Sequence, residues 1–259
     1  MSDDVPAWPD RSSAGEDLAR HLPMFWRPGE AITVVGIPRG GLVVAAPVAW
    51  RRGCPLVSWS TRRLVLPGSG GLGLGAVAPG GIVVIDPDQV RLQHVPLGTL
   101  LDLIHHKQLV VERHQRLFAE PWPAAIAGHH LIVIDDYLSS GLTMEATLRS
   151  LRQLWPRSIT LAVPVGAQGV IRCLRPEVDN ILVLISTEQP ETGLGWGQGL
   201  GPVDLRQVLH LLQPPPGREC RGCAAVRQQR RFAGIVNFRM STPHPRAPWP
   251  TPSATISTR

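Results

Sequence analysis

Leu131-Ile-Val-Ile-Asp-Asp-Tyr-Leu-Ser-Ser-Gly-Leu-Thr143 decides how this chain folds. Its four leading apolar residues read as a buried strand. Two acids stand at the strand's carboxyl end, and a short Ser/Gly/Thr loop leads into a helix with Met144, Leu148, Leu151 and Trp155 at helical spacing. Backbone N–H groups at a helix start can wrap a phosphate, which the helix dipole also favours. Adjacent carboxylates can accept hydrogen bonds from ribose hydroxyls, so the segment reads as a ribose-phosphate site.

Outward from it, the same strand, turn and helix pattern occurs once before. Ala31-Ile-Thr-Val-Val-Gly36 is a short strand that runs through Pro38-Arg-Gly-Gly41 into an apolar helix ending near Arg51-Arg-Gly53. A helix is expected over Arg11–Leu22, and a long charged one over about Leu97–Glu120. Further strands are expected at Leu56–Thr61, Ile82–Asp86, Ser158–Val163 and Asn180–Ile185, with a glycine-rich connection from Leu66 to Gly75 and a helix at Gln168–Leu174. Alternating strands and helices imply an α/β fold, a mainly parallel sheet with helices on both faces. Ligands of such sheets sit beyond the carboxyl ends of the strands, where both glycine turns lie.

The 259 residues carry a net charge of +6, but the basicity is local. Residues 214–259 hold eight Arg and one Glu, which leaves residues 1–213 close to −1. Residues 1–213 are therefore expected to form the domain, with a hood region over about 188–213. Residues 214–259 are expected to be a disordered Pro/Arg-rich tail, since their composition buries too little apolar surface to offset ordering entropy. A nucleic-acid contact through Arg227-Gln-Gln-Arg-Arg231 is the weaker reading of that tail. No apolar stretch is long enough to span a bilayer and no signal peptide is evident, so a soluble cytoplasmic protein is expected. Cys54, Cys173, Cys220 and Cys223 are too few and irregular for a disulfide scaffold. Cys220-Arg-Gly-Cys223 lacks the second pair that zinc requires, so no protein metal site is expected.

These residues resemble type I phosphoribosyltransferases, the family that binds phosphoribosyl diphosphate. Residues 131–143 are similar to the family signature of apolar residues, two acids and a small-residue loop. The resemblance extends to a bacterial branch through Asp10-Arg11, Ala14-Gly15, Leu18, Pro38 to Gly41, Arg62-Arg63, Pro67-Gly68, Leu74 to Val77 and Val163-Pro-Val165, covering about residues 8–187. It implies that Asp135 and Asp136 contact the ribose hydroxyls and that Ser139, Ser140, Gly141 and Thr143 hold the 5′-phosphate. Arg39, Gly40 and Gly41 would match the pyrophosphate loop, with Arg62 or Arg63 neutralising the leaving group. Asp135, Asp136 and Arg39 are the expected catalytic residues. Also implied is Mg²⁺, bound mainly through the diphosphate substrate and water.

The activity so implied is that of a pentosyltransferase, which moves ribose 5-phosphate to or from an unidentified nitrogenous acceptor with pyrophosphate as leaving group. The alternative is a non-catalytic sensor of phosphoribosyl diphosphate or a nucleotide; a flavodoxin-like phosphate binder, lacking a diphosphate contact at Arg39, is a third reading. Homo-oligomerisation is left open. Departures from the family pattern are Tyr137-Leu138 after the acids, glycines in Gly68-Ser-Gly-Gly-Leu-Gly73, and a glycine-rich Glu191–Gly201 with Trp196 as its only aromatic. Gly68–Gly73 formally fits a dinucleotide fingerprint but lacks the flanking strand and helix, and a mobile flap is the functional reading. His105-His106 and His129-His130 read as surface or structural residues.

Overall fold

The computed structural model describes residues 8–22, 26–27, 29–68, 70–121, 123–139, 141–188 and 201–213. The expected tail, Cys220 and Cys223, Ser140, Trp196 and most of Glu191–Gly201 lie outside the described residues.

A parallel sheet forms the centre. Its strands are β1 (Ile32–Gly36), β2 (Leu56–Ser58), β6 (His130–Ile134), β7 (Tyr137–Leu138), β8 (Ser158–Ala167) and β9 (Asn180–Thr187). β1 lies between β2 and β6, and β6 is followed across the sheet by β8 and then β9. The two-residue β7 continues beside β8 after the chain leaves β6. Because side chains alternate along a strand, Val34, Ile132, Ile134 and Ala162 face one way while Val35, Leu131, Val133 and Leu161 face the other.

Helices α1 (Arg11–His21), α2 (Gly40–Arg52) and α7 (Leu205–Leu211) cover the first face, with Leu18, Leu42, Val44 and Val208 fully buried. The second face is covered by α5 (Leu142–Arg152) and α6 (Gln168–Leu174) through Met144, Leu148, Leu151 and Leu174. A smaller antiparallel sheet of β3 (Arg62–Val65), β4 (Gly73–Ala78) and β5 (Ile82–Ile85) packs on α5 and on α4 (Leu97–Leu117), with the short α3 (Pro87–Leu92) between them in sequence. No described helix is long and apolar enough to cross a membrane.

Several elements differ from the sequence expectation. The strand at Ile82–Ile85 exists but pairs antiparallel with β4, outside the parallel sheet. Part of the expected Leu66–Gly75 connection is strand β4: glycines weaken its local strand signal, and pairing with β3 and β5 supplies what propensity lacks. The expected strand Leu56–Thr61 stops at Ser58. Trp155, expected on the packed face of α5, is 85 % exposed, because the helix ends at Arg152. The α7 helix was not expected, although Leu205, Val208, Leu209 and Leu212 have helical spacing.

Candidate functional site

In-register parallel pairing of β1 with β6 sets Gly36 beside Ile134, so the loops that follow leave the sheet side by side. Ile37 N–H donates to the Ile134 carbonyl at 3.0 Å and extends the pairing one residue. The Pro38–Gly41 turn therefore stands against the Asp135–Asp136 pair. How closely is measured by what a methyl group would meet. A Cβ on Gly40 would lie 1.9 Å from Asp136 Oδ2, and one on Gly41 would lie 2.8 Å from the Ile134 carbonyl oxygen and 2.9 Å from Asp135 Cα.

A cavity of about 450 Å³ opens at this junction. Arg39, Gly40, Arg62, Arg63, Asp135, Asp136, Ser139, Gly141 and Thr143 all line it. Gly41 does not; it is buried behind the wall, where its lack of a side chain lets α2 reach β6. Ser140 lies outside the described residues. Thr61, Tyr137, Leu138 and Met144 complete the lining together with Ile37 and Pro38. Tyr137 forms wall: it packs with Ala14, Val165 and Ile185 while the cavity stays open beside it.

The acid pair is asymmetric. Burial, followed by the neighbouring Asp136 charge, holds the Asp135 carboxyl well above the usual carboxylate range, although the Asp136 N–H donates to its Oδ1 at 2.9 Å. Asp136 Oδ2 accepts from Arg11 Nε at 2.8 Å. Gly141, at φ 77°, is the N-cap of α5 and brings no capping side chain, and the first amides of the helix lack intrahelical acceptors. That is the local chemistry of an anion site.

Three cations line the same cavity. Arg39 Nη1 donates to the Val203 carbonyl at 3.0 Å, so the segment before α7 steadies it. Arg62 donates to the Thr61 carbonyl at 2.9 Å and also meets His114 Nδ1. Burial pulls the Arg62 pKa down; the Glu120 carboxylate opposes this and the Arg39 charge adds to it. His114 is pulled down as well, by burial first and then by Arg62, which suits a neutral ring accepting a hydrogen bond. Arg63 Nη2 reaches the Gly71 carbonyl at 3.3 Å, at the glycine-rich turn between β3 and β4.

Sequence reasoning missed Glu120, which lies behind Arg62. Its Oε1 accepts from Ser58 Oγ at 2.8 Å and Ser60 Oγ at 2.6 Å, while Oε2 is buried without a hydrogen-bond partner. Burial pushes the carboxyl from 4.5 to about 7, against the lowering effect of both serines and Arg62. A folded state that holds this proton more tightly than the unfolded chain is stabilised fully below about pH 4.5, and loses that stabilisation as pH rises through about 7. Glu120→Gln is expected to flatten this decline by about 3 kcal/mol, an order of magnitude from the size of the shift. Chemical denaturation of both proteins from pH 4 to about pH 8.5 measures it, and parallel curves would contradict the assignment.

Other sequence candidates sit elsewhere. His105 and His106 are exposed on α4. His129 and His130 lie at the far end of the sheet, bonded to Thr33 at 2.9 Å and Ser158 at 2.6 Å, so their roles are structural. Cys54 and Cys173 are free thiols.

Residues 76–186 match the model of the phosphoribosyl transferase domain. The chain is also 30 % identical, with a TM-score of 0.60, to the crystal structure of TT1426 from Thermus thermophilus; the match covers 78 % of this chain and 96 % of that one. This chain belongs to the phosphoribosyltransferase family. Among relatives of the family, a Mycobacterium tuberculosis protein named "Putative phosphoribosyl transferase" is 30 % identical over 192 residues, which is 73 % of this chain and 42 % of that protein. The amidophosphoribosyltransferase of Mycobacterium bovis is 26 % identical over 228 residues, 82 % of this chain and 35 % of that enzyme. The chain thus spans less than half the length of these curated relatives.

Proposed function

We propose that this protein binds phosphoribosyl diphosphate in the cavity between the Asp135–Asp136 pair and the Pro38–Gly41 turn, and transfers ribose 5-phosphate to or from a nitrogenous acceptor. The observation that carries the reading is the meeting of an acid pair, a helix N-terminus and three arginines around one cavity of about 450 Å³. Carboxylates, anion-binding amides and guanidinium groups in that order match the ribose, the 5′-phosphate and the diphosphate of one extended ligand.

In this reading Ser139, Gly141 and Thr143, with Ser140 of the same loop, hold the 5′-phosphate at the start of α5. Asp135 and Asp136 engage the ribose hydroxyls, and the net negative charge of the pair favours positive charge on the anomeric carbon as its bond to pyrophosphate breaks. Arg39, Arg62 and Arg63 receive the departing pyrophosphate and stabilise its charge. Positioning and electrostatics supply the rate; no side-chain nucleophile is needed. The cavity offers oxygen donors from Asp135, Asp136, Ser139 and Thr143, a set suited to a hard cation. Mg²⁺ carried in on diphosphate oxygens and water would neutralise charge on the leaving group. The proposed unit is residues 1–213, including α7, whose Val208 is buried in the core that holds α2.

Calorimetric titration with phosphoribosyl diphosphate and Mg²⁺, followed by purine, pyrimidine and other nitrogenous acceptors with pyrophosphate release as readout, tests the proposal. Binding followed by pyrophosphate release with one acceptor class is the expected result. Tight binding with no turnover across a broad panel would make the protein a sensor, and no binding would remove the assignment.

A further inference from the structure

Arg11 is tied to the cavity without lining it. It occupies the first position of α1, where Asp10 caps the helix by accepting from Ser13 N–H at 2.7 Å and Ser13 Oγ at 2.9 Å. One turn on, Ala14 and Gly15 are buried, and a Cβ on Gly15 would lie 2.3 Å from the Val44 carbonyl oxygen. The helix therefore lies hard against α2, and its first turn is delivered beside Gly40.

From that position Arg11 Nε donates to Asp136 Oδ2 at 2.8 Å and Nη1 to the Gly201 carbonyl at 3.1 Å, partners 125 and 190 residues away. An exposed ion pair contributes little. Here the two side chains are only 15 % and 25 % exposed, and the donor is a planar guanidinium held at a second point by the Gly201 carbonyl. Arg39, Arg62 and Arg63 line the cavity itself, whereas Arg11 reaches it only through an acid. Taking Oδ2 fixes the plane of the Asp136 carboxylate and hence the direction in which it is offered to a ligand.

We propose that Arg11 is a positioning residue for the ribose end of the site: by holding Asp136 Oδ2 it sets the orientation of the carboxylate that receives the ribose hydroxyls, while the diphosphate end depends on other cations. The inference rests on the reading of the cavity as a phosphoribosyl diphosphate site and deepens it. A general structural brace would affect every ligand alike. A device that aims one carboxylate affects only ligands that carry the sugar.

The test uses the full chain and two probes, phosphoribosyl diphosphate and inorganic pyrophosphate, each with Mg²⁺, titrated calorimetrically into wild type, Arg11→Gln and Arg11→Lys. Arg11→Gln is expected to weaken phosphoribosyl diphosphate binding by about tenfold to a hundredfold, the range for losing one charge-assisted hydrogen bond, while pyrophosphate affinity changes by less than about twofold. Arg11→Lys should recover part of the loss, because an ammonium can still meet one carboxylate oxygen. If Arg11→Gln melts too early for a clean comparison, Arg11→Lys carries the same contrast between probes at a smaller magnitude. Equal losses for both probes, or unchanged affinity for the sugar ligand, overturn the role. A wild-type protein that fails to bind phosphoribosyl diphosphate overturns the site reading itself, and this role with it.

Discussion

Gly41→Ala is expected to destabilise the protein, whereas Gly40→Ala is expected to disable it while leaving it folded. The two glycines are neighbours, yet a methyl group on each meets a different kind of obstacle. At Gly41 the new carbon would sit 2.8 Å from the Ile134 carbonyl oxygen and 2.9 Å from Asp135 Cα, both backbone, so α2 must separate from β6. Overpacking of this kind costs about 1–3 kcal/mol, visible as an earlier midpoint in thermal or chemical denaturation. At Gly40 the obstacle is the Asp136 carboxylate, 1.9 Å away at Oδ2 and 2.6 Å at Cγ. A side chain can rotate out of the way, but it then leaves Arg11 and turns from the cavity. Phosphoribosyl diphosphate affinity should fall by about a hundredfold or more, since at least one charge-assisted hydrogen bond is lost. A Gly40→Ala protein with wild-type affinity would show that Asp136 is not aimed at the ligand.

Replacing both acids, Asp135→Asn with Asp136→Asn, should abolish phosphoribosyl diphosphate binding, because amides cannot match the charge at the anomeric centre and present donors where the ribose hydroxyls need acceptors. The single variants should differ in stability, although strand-end acids look interchangeable in sequence. Asp135 holds its proton more tightly when folded, so its contribution is fully present below the usual 3.8 and is lost as pH rises through the elevated folded value. Asp135→Asn should therefore melt later than wild type at pH 8, with the difference closing near pH 3. Asp136→Asn removes the charged partner of Arg11 and should melt earlier. An Asp135→Asn protein that melts earlier than wild type at pH 8 would contradict the raised proton affinity of this carboxyl. Stability gained as binding is lost is the usual mark of a site kept at the expense of the fold.

Much of this architecture was legible because its signals are local. The apolar runs at Ile32–Gly36 and His130–Ile134, each ending in a small-residue turn and a helix, announce a parallel α/β sheet. The smaller sheet was not legible. Nothing within Ile82–Ile85 tells a strand buried between helices from one paired antiparallel to β4, since both present short β-branched runs. Glu120 read as the polar end of a helix; its buried Oε2 exists because β2, the Ser60 segment that follows it and the end of α4 converge on it. Arg11 was visible as a motif residue beside Asp10 but without a role, because its two partners are distant in sequence.

The sequence by itself determined the strand, acid-pair and small-residue-loop unit, the glycine turn before α2 and the identity of most residues that line the cavity. Each depends on chemistry carried within about ten neighbouring residues. Only the tertiary structure decided that the turn and the acids share one wall, that Arg11 faces Asp136, and that Asp135 and Asp136 are unlike. Those facts follow from strand register and helix packing, which bring together groups more than ninety residues apart and change the solvent around them.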